Sequence, residues 1–169
     1  MAAGSEDKSV NSGAGVHSSG GGAASTVEQG GLCLVGCGWF MVRAHCPALR
    51  KLKIRVVSVC SRDPANRRRA MQRLGRVVDE YTTLDQALVS SSASVFVVSL
   101  PRVVALDAVA ACLAAGKRVV SEKPAAWSLA EIERAIELPR ERWRVLENWG
   151  FKRGVRRVAE LLDGSEYRM

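Results

Sequence analysis

Six short β-rich runs, separated by stretches that carry helix signals, constrain this chain more than any other feature. The runs are Leu32-Cys33-Leu34-Val35, Ile54 to Cys60, Val77-Val78, Val95-Phe96-Val97-Val98, Arg118 to Ser121 and Trp143 to Leu146. The fourth is apolar at every position, the pattern of a strand covered on both faces. Between the runs, Asp63-Pro64 reads as an N-cap and first helical residue, opening a helix to about Leu74 with Gly75 beyond its end. Thr83 to Gln86 and Ser128 to Glu131 have capping-box spacing. Val104 to Ala115 is alanine-rich, with Leu106, Val109 and Leu113 on one face and Gly116 at C′. This alternation predicts an α/β fold, a doubly wound, mostly parallel sheet with helices on both faces. Right-handed crossovers then gather the strand C-termini at one edge, where ligands bind.

Composition sets the boundaries of that domain. Residues 1–30 hold seven Gly, six Ser and five Ala, and no Leu, Ile, Phe, Tyr or Trp. Such a segment buries too little apolar surface to offset its ordering entropy, so it is expected to be a disordered tail. Composition therefore separates a tail over 1–30 from a folded part beyond it. The tail has no apolar core of a secretory signal, and its three acids and lack of Arg argue against a transit peptide. No apolar run approaches the ~20 residues that span a bilayer, which excludes an integral membrane protein of the helical kind. The net charge is +8, and Lys8 is the tail's sole basic residue, so the excess lies beyond residue 30. Solvated helix faces explain most of this charge. An anionic small ligand is a second reading, and the scatter of the arginines argues against nucleic acid. The five cysteines are odd in number and form no C-x-x-C pair or zinc spacing. They read as buried free thiols in a reducing compartment, which implies a cytoplasmic location. Four tryptophans lie far apart in sequence and read as core or rim packing rather than as a stacking platform.

Three constellations carry chemistry. Gly36-Cys37-Gly38 stands directly after the first run and before a helix. There Gly36 allows a tight turn, and Gly38 lets a pyrophosphate approach the backbone and the helix N-terminus. The position where G-x-G-x-x-G/A places a third small residue is Met41, which predicts looser helix–strand packing; an ordinary βα turn is the alternative. At the end of the second run an NAD-specific site would place an acid on the ribose, but the sequence reads Cys60-Ser61-Arg62. Asp63 is better used as the helix cap. A hydroxyl with a guanidinium suits a 2′-phosphate, so the cofactor expected is NADP, with NAD the alternative. Arg62 as a solvated loop residue is the competing reading. Third, Glu122-Lys123-Pro124 follows the fifth run, where a lysine at the ligand edge could donate to a substrate oxygen.

Taken in order, a set of residues resembles the N-terminal half of the glucose–fructose oxidoreductase / inositol dehydrogenase (Gfo/Idh/MocA) family. They are Gly36-Cys37-Gly38, His45-Cys46-Pro47-Ala48-Leu49, Ser99-Leu100-Pro101, Ala114-Ala115-Gly116-Lys117-Arg118-Val119, Glu122-Lys123-Pro124 and Glu147-Asn148-Trp149. The resemblance implies a Rossmann domain binding NAD(P) over residues 31–148, with residues 149–169 the start of a further domain, in an oxidoreductase that acts on a sugar, polyol or related carbonyl compound. It makes Lys123 the candidate catalytic residue, near nicotinamide and substrate. The cofactor-binding candidates are Gly36, Cys37, Gly38, Trp39 and Phe40 on the first turn, Ser61 and Arg62 on the second, Ser99, Leu100 and Pro101 on the fourth, and Glu122, Lys123 and Pro124 on the fifth. Members of the family continue into a second α/β domain that supplies the substrate pocket, an Asp/His pair and usually the oligomer interface. Arg102-Val103-Val104 stands where a histidine is common, and His45 reads as a structural residue rather than a catalyst. The chain is therefore expected to be truncated, binding dinucleotide without full catalysis and taking a carbonyl or polyol substrate only if a second domain is supplied. A non-catalytic dinucleotide-binding or interaction module is the alternative.

Overall fold

The computed structural model describes residues 30–76, 78–148 and 151–162. The tail expected to be disordered lies outside these residues apart from Gly30, as do Val77 and Trp149. Six strands form one sheet: β1 (Leu32–Val35), β2 (Val56–Cys60), β3 (Asp79–Tyr81), β4 (Val95–Val98), β5 (Arg118–Ser121) and β6 (Trp143–Val145). Their order is β3-β2-β1-β4-β5-β6, and every neighbouring pair is parallel. The chain thus winds outward from β1 in one direction, then returns to β4 and winds the other way. The reversal between β1 and β4 is the switch point at which an open α/β sheet binds ligands.

β1 and β4 are buried at every position because both sheet faces are covered. Side chains alternate along each strand. Leu32, Leu34, Val95 and Val97 face one core with Met41, Val42, Cys46, Ala70 and Leu74. Cys33, Val35, Phe96 and Val98 face the other with Ala87, Ala108, Val109, Cys112 and Leu113. The helices are α1 (Cys46–Lys51), α2 (Pro64–Leu74), α3 (Leu84–Ser90), α4 (Arg102–Ala114), α5 (Leu129–Glu137) and α6 (Arg153–Leu162). The expected caps form: Asp63 accepts from the Ala65 amide, and Thr83/Gln86 and Ser128/Glu131 make reciprocal capping boxes. Gly75 ends α2 at φ +72°.

Three expectations are corrected. The third strand is the polar Asp79–Tyr81, not Val77-Val78. An edge strand with one partner and an exposed face does not require apolar residues. Met41 does not loosen the packing of helix on sheet. It is fully buried, and the chain widens into a π-helical turn over Met41–His45 just before α1, which accommodates the long side chain. Two tryptophans are not core residues. Trp39 is 71% exposed and Trp127 64%. Each lies against an arginine, Arg43 at 5.4 Å and Arg102 at 4.5 Å from the ring centroid. Trp143 is half-buried and donates its indole N–H to Ser121 Oγ at 2.9 Å. All five cysteines are free and buried.

Candidate dinucleotide-binding site

The carboxyl ends of β1, β2, β3 and β4 meet around a cavity of about 750 Å³. Its walls include Gly36, Cys37 and Gly38 after β1, Ser61 and Arg62 after β2, Thr82 and Thr83 after β3, and Ser99, Leu100 and Pro101 after β4. Gly36 sits at φ +84°, and a Cβ there would stand 2.2 Å from the Ser99 carbonyl oxygen. Only glycine lets the β1 and β4 turns approach this closely. The Gly36 amide donates to the Cys60 carbonyl, and that of Ser99 to the Val35 carbonyl. Gly38 differs, because a Cβ there would meet nothing within 4 Å. The space beside it is open and lies at the start of a helix, where free amides and the helix dipole favour an anion. The residues present therefore fit a bound pyrophosphate.

Cys37 belongs to the turn only through its backbone. Its thiol is buried and directed at the carbonyls of Leu34 and Cys60, at 4.0 and 3.8 Å. Burial pushes the Cys37 thiol up to about 12 and that of Cys60 to about 11, so neither is a thiolate nucleophile at neutral pH.

At the end of β2 the Ser61 amide donates to the Tyr81 carbonyl. Arg67 of α2 reaches back to donate to the Ser61 carbonyl at 2.5 Å and pairs through Nε with Glu80 Oε2 at 2.7 Å. The expectation that solvated helix faces carry most of the charge does not hold for Arg67. Its side chain is instead 13% exposed and builds the turn. Asp63 is engaged as the α2 cap. Among the described residues, the Arg62 guanidinium has no hydrogen-bond or ion-pair partner, and it lines the cavity.

Glu122, Lys123 and Pro124 do not line this cavity, and neither do Trp39 and Phe40. The Glu122 amide donates to the Val98 carbonyl at 2.9 Å, and its carboxylate lies 2.7 Å from His45 Nε2. Lys123 follows, exposed, and the Lys123–Pro124 bond is cis. Reading the sequence did not find Asn66, Thr82, Thr83, Val103, Val104 and Asp107, which also wall the cavity. Thr82 and Thr83 follow the polar edge strand, whose weak signal hid them. Asp107 also accepts from Arg134, tying α4 to α5 at 2.6 Å.

The model of the oxidoreductase family with an NAD-binding Rossmann fold, Gfo/Idh/MocA, matches residues 31–148. The chain belongs to this family. No curated protein matches it by sequence. Among solved structures, the KijD10 3-ketoreductase from Actinomadura kijaniata, in complex with TDP-benzene and NADP, superposes with TM-score 0.65 at 28% identity, covering 78% of this chain and 42% of its own. The WlbA dehydrogenase from Bordetella pertussis, in complex with NADH and UDP-GlcNAcA, does so with TM-score 0.67 at 20% identity, over 78% of this chain and 41% of its own. The scyllo-inositol dehydrogenase from Lactobacillus casei, with bound NAD(H) and scyllo-inositol, gives TM-score 0.67 at 21% identity, over 78% and 40%. The last two likenesses show the fold alone. The chain spans about two fifths of the length of these Gfo/Idh/MocA structures. Its residues 31–148 are the family's NAD(P)-binding Rossmann domain. Among the described residues, no helix is long and apolar enough to cross a membrane.

Proposed function

We propose that the chain binds NADP in the cavity at the carboxyl edge of β1 to β4, in an oxidoreductase that acts on a sugar, polyol or related carbonyl compound. The observation that carries the cofactor choice is the Arg62 guanidinium, unpartnered among the described residues and beside Ser61, where an NAD-specific site would hold an acid. A planar guanidinium forks onto phosphate oxygens, and the Ser61 hydroxyl adds a donor. Gly36 and Gly38 leave the backbone open to the pyrophosphate, and Leu100 and Pro101 offer an apolar surface to the rest of the dinucleotide. The KijD10 relative, solved with NADP, supports this reading. The bound dinucleotide supplies hydride transfer, and Lys123 donates a proton to the substrate oxygen or holds it there.

The same reading holds that this chain binds cofactor without sustained turnover. Lys123 is the one motif-matched reacting group. His45, the one histidine among the described residues, is bonded to Glu122. Positioning supplies on the order of 7–11 kcal/mol of rate acceleration and requires groups on both sides of the reacting atoms. Five buried free thiols support a reducing, cytoplasmic setting. Calorimetric titration of the chain with NADPH and NADH tests the proposal, with tighter binding of NADPH expected. Equal affinities overturn the cofactor choice. Turnover of inositol, glucose or an aldehyde near the ordinary enzyme range of roughly 1–10³ s⁻¹, lost in Lys123→Ala, overturns the expectation of no catalysis.

A further inference from the structure

We propose that His45 is a positioning residue for Lys123, acting through Glu122, and that it sets how the nicotinamide half of the dinucleotide is held. This inference rests on the dinucleotide-binding reading above. His45 closes the π-helical turn that follows the β1 glycine turn, and Glu122 is the first residue after β5. β4 lies between β1 and β5 in the sheet. The contact of His45 Nε2 with Glu122 Oε1, at 2.7 Å, therefore bridges the end of β4 and joins residues 77 apart in sequence.

The bridge is held at both ends. Phe40 and the imidazole meet edge to face, with centroids 5.2 Å apart and planes at 83°, which limits how the imidazole can turn. Glu122 is fixed by its backbone amide on the Val98 carbonyl as well as by its side chain. Each side chain of the pair is 19% exposed. A carboxylate only accepts, so Nε2 carries the proton and donates it to Oε1.

Lys123 comes next in the chain. Its side chain is exposed, and among the described residues its ammonium has no hydrogen-bond or ion-pair partner. Where a flexible lysine can reach depends on where its Cα is held, and that is what the bridge fixes. In a doubly wound sheet the two mononucleotide halves lie on opposite sides of the switch point. Arg62, after β2, marks the adenosine side. Lys123, after β5, stands on the other. Loss of the bridge should therefore be felt by one half of the dinucleotide and not by the other.

The test uses the full chain and two probes. Whichever reduced dinucleotide the wild type binds more tightly is titrated by its nicotinamide fluorescence, and the matching adenosine half (2′,5′-ADP for NADPH, ADP for NADH) by calorimetry. His45→Ala should weaken the dinucleotide about tenfold, the scale of one lost charge-assisted hydrogen bond, and leave the adenosine half unchanged. His45→Gln, whose amide can still donate to Glu122, should restore most of the loss. In a Lys123→Ala background, His45→Ala should add nothing further. Equal losses for both probes, no loss for the dinucleotide, or additive losses in the double variant overturn the proposal. Should circular dichroism show that His45→Ala does not fold, Glu122→Ala reads the same link from its other end, with the same expected and overturning outcomes. A wild type that binds neither probe overturns the dinucleotide reading itself, and this inference with it.

Discussion

Arg62 stands between two neighbours that are already engaged. The Ser61 carbonyl accepts from Arg67, and the Asp63 carboxylate caps α2. The Arg62 guanidinium, beside the Ser61 hydroxyl, is kept for a ligand. Replacing it by alanine should weaken NADPH by about 1.5–3 kcal/mol, the range for a charged hydrogen bond, and leave NADH nearly unchanged. Calorimetry on the variant checks this, and equal losses for the two cofactors would assign Arg62 a structural role. Residues of this kind were legible in the sequence where their partners are local. Gly36 follows a strand directly, Asp63 caps the next turn, and Thr83 meets Gln86 three positions on. Arg67 was not legible, because it lies on α2 and Glu80 on β3, and only the fold brings them to 2.7 Å. The direction of the Cys37 thiol was hidden for the same reason, since one of the carbonyls it faces, that of Cys60, belongs to β2.

Elements were legible where their period is regular. The apolar runs of β1 and β4, and the Leu106, Val109 and Leu113 face of α4, all enter the core as their spacing requires. The π-helical turn broke that rule. A motif that expects a small third residue has no entry for a widened turn, and the extra room there appears only once Met41 is packed. Met41 is fully buried among apolar side chains. Met41→Ala should therefore cost about 2–5 kcal/mol of stability, from lost transfer energy and the cavity left behind. Urea unfolding measures it, and a loss well below that range would mean that the turn relaxes back to a regular α-helix and closes the void. The last two helices carry apolar residues that do not enter the core. Leu129, Ile132 and Ile136 share a face of α5 and are exposed, as are Val158 and Leu161 of α6.

For the whole molecule, the five thiols couple stability to pH. They line both cores: Cys37 and Cys46 on one face of the sheet, Cys33, Cys60 and Cys112 on the other. Burial raises Cys33, Cys37 and Cys112 from about 9 to about 12, and Cys46 and Cys60 to about 11. The sign follows from proton binding. Below pH 9 both the folded and the unfolded chain keep these protons, and the thiols add no pH dependence. Above pH 9 the unfolded chain releases them while the folded chain holds them, so the unfolded state is favoured as pH rises. The slope approaches about 1.4 kcal/mol per pH unit for each thiol and persists until the folded groups titrate at about 11 to 12. Stability measured by urea unfolding in a reducing buffer should thus fall steeply between pH 9 and 10.5. Lysines and tyrosines titrate nearby, so the decisive measurement is a difference. A chain carrying Cys33→Ala and Cys112→Ala should start less stable at pH 8, because two packed side chains are smaller, yet lose stability more slowly as pH rises. The difference in slope should approach two thiols' worth of proton release. Parallel pH curves for the two chains would mean that these thiols reach solvent in the folded state and that the second core is looser than its packing indicates.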